Sequence, residues 1–217
     1  MSGDEEKPKL MKPSDGEDDE DRKNRHVRYF YYFIGIAIVV AAVIAVTLYF
    51  VYRPSLPEFS IQALSIYDIN VHSTSAPVNQ ISINTQFTIV VHNPNDRTSI
   101  THDRLVVFLT YHNHPITPPT PLLPIILREK TTVAASPVVG GGLVSVPKEV
   151  AAGLANEKSV GVMGMKVIVM GRVKYSSIPF QSRWYEIHVG CGLLVGMKKG
   201  FHGSVSILGN PICHVSI

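Results

Sequence analysis

The sequence predicts an all-β fold, a β-sandwich with one short helix, preceded by a single transmembrane helix and a charged tail. Three observations predict it. Residues 29–52 read YFYYFIGIAIVVAAVIAVTLYFVY, without a charged side chain. The residues after them fall into seven or eight short runs rich in β-branched residues, with turn signals between them, the pattern of a sandwich. Residues 1–28 are dense in charge, Pro and Gly and poor in aromatics. The boundaries that follow are a tail at 1–28, a span at 29–52, a stem at 53–58 and the sandwich at 59–217.

The span comes first because its physics is simplest. About 24 residues at about 1.5 Å rise make a helix about 36 Å long, enough for a hydrocarbon core of about 30 Å. Lipid offers no partner to an open backbone group, so a single segment must cross as a helix. Tyr29, Phe30, Tyr31, Tyr32 and Phe33 stand at one end, and Tyr49, Phe50 and Tyr52 at the other. Such rings suit the headgroup level. Arg22, Lys23, Arg25 and Arg28 precede the span, while only Arg53 follows it closely. The positive-inside rule therefore expects a cytosolic amino terminus, a single-pass type II arrangement. A cleaved signal peptide fits less well, because the lead is longer and RPSLPEF offers no small-residue cleavage site. Ala37, Ala41 and Ala45 repeat at four-residue spacing near Gly35. Small residues at that spacing allow close helix approach and a homodimer through this face; the plain abundance of Ala in membrane helices is the other reading.

The tail is expected to be disordered, since it cannot bury enough apolar surface to offset the entropy of ordering. Ser2 and Ser14 both precede acidic residues. They read either as acidic-directed phosphorylation sites next to juxtamembrane arginines or as part of a solvated charge run. The formal charge of +3 divides unevenly. Residues 1–28 hold seven Lys/Arg against nine Asp/Glu, whereas residues 53–217 hold thirteen against eight. The basic residues are scattered rather than striped, which argues against a nucleic-acid partner.

Along the sandwich, FSIQALSIYDINV (59–71) is a strand, HSTSAPVNQ (72–80) a loop and ISINTQFTIVVHN (81–93) a half-buried strand by its alternation. HNPND (92–96) is a turn, DRLVVFLTYHN (103–113) a strand, and HPITPPTPLLP (114–124) an extended edge loop. IILREKTTVAA (125–135) is expected as one strand and SPVVGGG (136–142) as a flexible loop with a glycine hinge. PKEVAAGLANEK (147–158) is the helix: Pro147 suits its first turn, Glu149 its positive end, and Val150 with Leu154 gives a small apolar face. Residues 160–175, 179–196 and 201–217 finish as strands.

Little in this half suggests reaction chemistry. Cys191 and Cys213 lie on the last two predicted strands. If those strands pair in an oxidising compartment the two bridge; otherwise they are two buried free thiols. A Cys–His nucleophile with His188 or His214 lacks an orienting third group. His112 and His114, with His92 and His102 near in sequence, have no HExxH or CxxC frame around them, so neither metal nor other cofactor is expected. Of Trp184 and Tyr185, at strand alternation, one is expected in the core and the other on the surface, in either order. No constellation of acid, base and nucleophile is present, and no enzyme is expected.

Several motifs carry a resemblance. After the charged tail and the span come P-x-F-x-I-x-x-L at Pro57 to Leu64 and a strand ending VHNPN, with Asn93, Pro94 and Asn95 at its tip. HDRLVVFLTYHNHPI follows at 102–116, then GRVKY and RWYEIHVGCGLLV within 171–195, and a final Cys213. This ordered set resembles the plant late embryogenesis abundant group-2 superfamily, in particular its harpin-induced-like (NHL) single-span membrane proteins. The resemblance implies a seven-stranded sandwich similar to fibronectin type III modules. It also implies a plasma-membrane protein of plant pathogen and abiotic stress responses, with no catalytic residues to carry over; the function expected is non-enzymatic, through protein or cell-wall contacts of exposed strand edges and loops. The endoplasmic reticulum is the alternative address. The alternative function is binding of lipid or a small apolar ligand at the membrane face, with IILREK and LLP as a rim. No N-x-S/T sequon is present, a departure from many relatives.

Overall fold

A computed structural model of the chain describes residues 17–72, 78–178, 180–197 and 203–217. It divides into two units, one ending at Arg53 and one running Pro54–Ile217. In the first, α1 spans Glu17–Tyr52. Its stretch Lys23–Phe50 is long and apolar enough to cross a membrane. The helix starts well before the expected span, so residues 17–28 are helical rather than disordered. A turn added to an existing long helix avoids the cost of nucleation. In sequence order the acidic run 17–21 also meets the positive end of the helix dipole. Ala37, Ala41 and Ala45 are all exposed along α1. Ser2 and Ser14 lie outside the described residues.

The second unit is a two-layered antiparallel sandwich. The first layer is centred on β2 (Val78–His92), which pairs along its length with β1 (Glu58–His72). Its other edge is shared by β7 (Thr132–Ala135), against Ile89–His92, and β8 (Val138–Pro147), against Val78–Gln86. The second layer is centred on β9 (Val162–Ser177), between β3 (Ser99–Tyr111) and β11 (Tyr185–Gly196). Three short pieces border β3: β4 (His114–Pro115), β5 (Thr120–Pro121) and β6 (Ile125–Leu127). β10 (Phe180–Gln181) folds back on β9, and β13 (Ile212–Ser216) borders β11. β12 (Gly203–Ile207) pairs with β11 on one side and β1 on the other, closing the two layers along one margin.

Alternation fills the space between layers. Leu64, Ile81, Ile83, Phe87 and Ile89 face Ile100, Leu105, Val107, Val167, Val169, Ile187 and Val189, all buried. α2 (Lys148–Val160) contributes Val150, Ala151 and Leu154 to the same core. Pro147 stands at its amino-terminal cap, and Gly161, left-handed at φ 88°, closes its carboxy end by donating from its N–H to the Glu157 carbonyl at 2.9 Å.

Four expected segments differ. The run 125–135 is two strands in two layers, broken at a turn where Lys130 takes φ 54° and the Thr131 N–H donates to the Arg128 carbonyl. The charged residues of LREK have no apolar face to continue a strand, and the chain changes layer there. The GGG of 140–142 is strand interior, not hinge: Gly140 pairs with Asn84, and Gly141 and Gly142 form a bulge on β8 opposite Ile83 of β2. The 72–80 loop is shorter than expected, since β1 reaches His72 and β2 begins at Val78. The last segment is two strands, separated around Gly209 at φ 81° and Pro211.

Candidate functional site

The most densely bonded polar site surrounds Asn93, Pro94 and Asn95, just past the end of β2. Asn93 is fully buried. Its Nδ2 donates to the carbonyls of Thr98 at 2.8 Å and Arg128 at 2.9 Å. Its Oδ1 accepts from the Asn95 N–H at 3.1 Å and from Asn95 Nδ2 at 2.9 Å. All four positions of the amide are thus used. Asn95, also buried, grips the stem: the Ser55 N–H donates to its Oδ1 at 2.7 Å, and its Nδ2 donates to the Ser55 carbonyl at 3.0 Å. The Lys130 N–H closes the ring on the Asn95 carbonyl at 3.1 Å. Pro94 has no N–H to leave unpaired and holds φ near −65°. The motif is a clamp that fastens the stem and the 128–131 turn to the end of β2. Its chemistry is neutral amide recognition of backbone, with no group to activate a substrate.

Cys191 and Cys213 are directly opposed on β11 and β13 and form a disulfide, with Cα atoms 4.0 Å apart. Neither sulfur is a thiol, so neither serves as nucleophile or ligand. The histidines scatter. His92 Nδ1 meets Thr132 Oγ1 at 2.9 Å, His112 stacks on Tyr111 at 4.1 Å, and His188 and His214 are exposed on neighbouring strands. Among the described residues no group of three His, Cys, Asp or Glu is placed to hold a metal ion. Trp184 is exposed beneath the Lys174 ammonium, and Tyr185 packs against the core edge beneath Arg183.

Three features escaped the sequence. His102 is fully buried, its ring edge-on to Phe59, and neither nitrogen has a hydrogen-bond partner. Burial lowers its pKa from 6.5 to about 4, with the Ile125 backbone opposing weakly. Its inward direction is hidden by a bulge: Leu105, Val107 and Leu109 would put Asp103 inward, but Arg104 at φ 51° shifts the phase so that Ile100 and His102 point in. Second, the buried Tyr111 donates to Glu157 Oε1 at 2.8 Å, and the Gly164 N–H donates to Oε2 at 3.1 Å, tying α2 to both β3 and β9. Desolvation, then the bond to and charge of Glu157, push the Tyr111 phenol up to about 12. Third, an open cleft of about 460 Å³ lies on the outer side of β9 and β11, towards the β12–β13 turn.

No family model matches the chain. Curated relatives do. NDR1/HIN1-like protein 1 of Arabidopsis thaliana is 30% identical over 158 residues, 73% of this chain and 75% of that protein. The chain belongs to the NDR1/HIN1-like family. NDR1/HIN1-like protein 12 of the same plant is 30% identical over 75% of this chain and 77% of that protein. NDR1/HIN1-like protein 26 is 25% identical over 68% of each. Among solved structures, one of an Archaeoglobus fulgidus protein covers 73% of this chain at 6% identity, and a solution structure of an Arabidopsis thaliana protein covers 59% at 14% identity. Both have a TM-score of 0.24, too low to support a conclusion. In this NDR1/HIN1-like chain the Asn93–Asn95 clamp and the paired cysteines each hold parts of the fold together.

Proposed function

We propose that this NDR1/HIN1-like protein is a non-enzymatic, single-pass membrane protein of plant pathogen defence or stress response. Its sandwich stands outside the plasma membrane and binds protein or cell-wall partners; its tail is cytosolic. One observation carries the topology. The Cys191–Cys213 disulfide belongs to an oxidising compartment, and the basic cluster before the apolar helix favours the same arrangement independently. Family membership supports the biological setting and the late embryogenesis abundant group-2 relationship. A rigid two-layered frame with β7 and β8 on the margin of the first layer supports binding rather than chemistry, since open strand edges pair readily with other chains.

Protease protection on intact plant cells, with a tag at each end, tests the topology. Digestion of the carboxy-terminal tag from outside, with the amino-terminal tag protected, is the expected result. The reverse pattern overturns it. Alkylation of the unreduced protein should then leave Cys191 and Cys213 unmodified.

A further inference from the structure

Three glycines on the outward face of β9 and β11 have no structural reason to be glycine. None of Gly164, Gly190 and Gly192 has positive φ among the described residues. A Cβ at Gly164 or Gly192 would meet nothing within 4 Å, and at Gly190 it would make only ordinary contacts with Lys166 and Ile168. Glycine within a strand weakens it, and often marks a place where a ligand approaches the backbone. The register sets Gly192 beside Lys166 on one side and Ile212 on the other, and Leu194 beside Gly164. The bare backbone at Gly164 and Gly192 is thus the floor of the 460 Å³ cleft, and Gly190 lies outside its lining.

Its walls have a definite chemistry. Leu194, Leu208 and Ile212 are all more than two-fifths exposed around it. The Leu208 N–H donates to the Leu194 carbonyl at 2.7 Å, so this wall is held in place. Lys166 is the one permanently charged residue lining the cleft among the described residues, and no carboxylate lines it. The ion pairs among the described residues are Arg104–Asp103 and Lys130–Asp96, so Lys166 is not neutralised. Lys166, Gly192 and Ile212 stand in one row across β9, β11 and β13, so the cleft extends about 10 Å from Lys166 to Ile212 at two strand spacings, the reach of a medium-length alkyl chain. The volume falls within the usual range for small-molecule sites.

We propose that this cleft binds a medium-chain aliphatic monocarboxylate. Its alkyl chain lies on Gly164 and Gly192 between Leu194, Leu208 and Ile212, and its carboxylate pairs with Lys166 Nζ. The site is on the outer face of the second layer, away from the strand margin invoked for protein partners, and does not depend on that reading.

The test uses the full chain in lipid nanodiscs with decanoate and decanol carrying the same photoactivatable diazirine, and crosslinks mapped by peptide mass spectrometry. The carboxylate probe should label peptides containing Leu194, Leu208 or Ile212, and decanol should label them less. Lys166→Met should reduce decanoate labelling there by roughly two- to fivefold, the scale of one exposed ion pair. Gly192→Val should abolish it while leaving the melting temperature unchanged or higher; Gly164→Val gives the same readout if Gly192→Val does not fold. No labelling in the cleft, equal labelling by decanol, or labelling insensitive to both the lysine and the glycine substitutions would overturn the proposal.

Discussion

Asn93 and His102 are both fully buried polar residues, and they behave in opposite ways. Asn93 has every hydrogen-bonding position occupied. Removing its side chain leaves the Thr98 and Arg128 carbonyls and Asn95 short of partners. Asn93→Ala should therefore cost about 3 kcal/mol and lower the melting temperature by about 10 °C, measured by thermal denaturation. His102 has no hydrogen-bond partner for either nitrogen, and desolvation holds it neutral, with a pKa lowered to about 4. The unfolded chain takes up the proton near 6.5, before the folded one does. The stability that depends on the neutral ring is thus complete above 6.5 and is lost as pH falls towards 4. The total is about 3 kcal/mol. Urea titrations across that window should show the loss in the native sequence and a shallower one in His102→Phe. An identical slope in the variant would show that His102 is not the titrating group.

Among the elements, β8 and the β11–β13 pair depend most on single positions. Gly140 has φ 123°, and a Cβ there would overlap the Ile83 carbonyl on β2. Gly140→Ala should destabilise by about 2 kcal/mol or more, seen as a lower urea midpoint with unchanged slope. The β13 strand is short and half-exposed, and it is bound covalently to β11 at Cys213. The bridge closes a loop of sequence separation 22. Its loss in a Cys191→Ala, Cys213→Ala double variant should cost about 3 kcal/mol, with reductant then having no further effect on unfolding. A native protein equally stable with and without reductant would show the bridge to be energetically idle.

At the scale of the molecule, the sandwich is one cooperative body because β12 joins its layers and the Asn95 clamp ties the stem to it. A chain starting at Pro54 should unfold in a single transition. One starting at Glu58 lacks Ser55 and takes from Asn95 the partner of its Oδ1 and one of the two acceptors of its Nδ2, and should be less stable by about 1–2 kcal/mol in the same calorimetric scan. Equal melting temperatures for the two would mean that the stem bonds contribute nothing to the fold.

Much of this was legible in the order of residues. The apolar run at 29–52, the alternation in β2, the Pro147 start of α2 and the family marks each depend on local composition or a period of two or 3.6, which a sequence displays directly. The all-β class and family membership followed from them. What the tertiary structure decided are the features whose cause lies elsewhere in the chain. The glycines of β8 look like a hinge until pairing with β2 makes them a bulge opposite Ile83. The Arg104 bulge reverses the side on which His102 falls. LREK ends one strand and starts another only because two layers stand ready to receive them. The partners of Asn93 and Asn95 lie as far away as Arg128 and Ser55. Local periodicity is set by the backbone of each segment alone, whereas register, bulges and buried hydrogen bonds are set by the neighbour, and that neighbour exists only once the chain has folded.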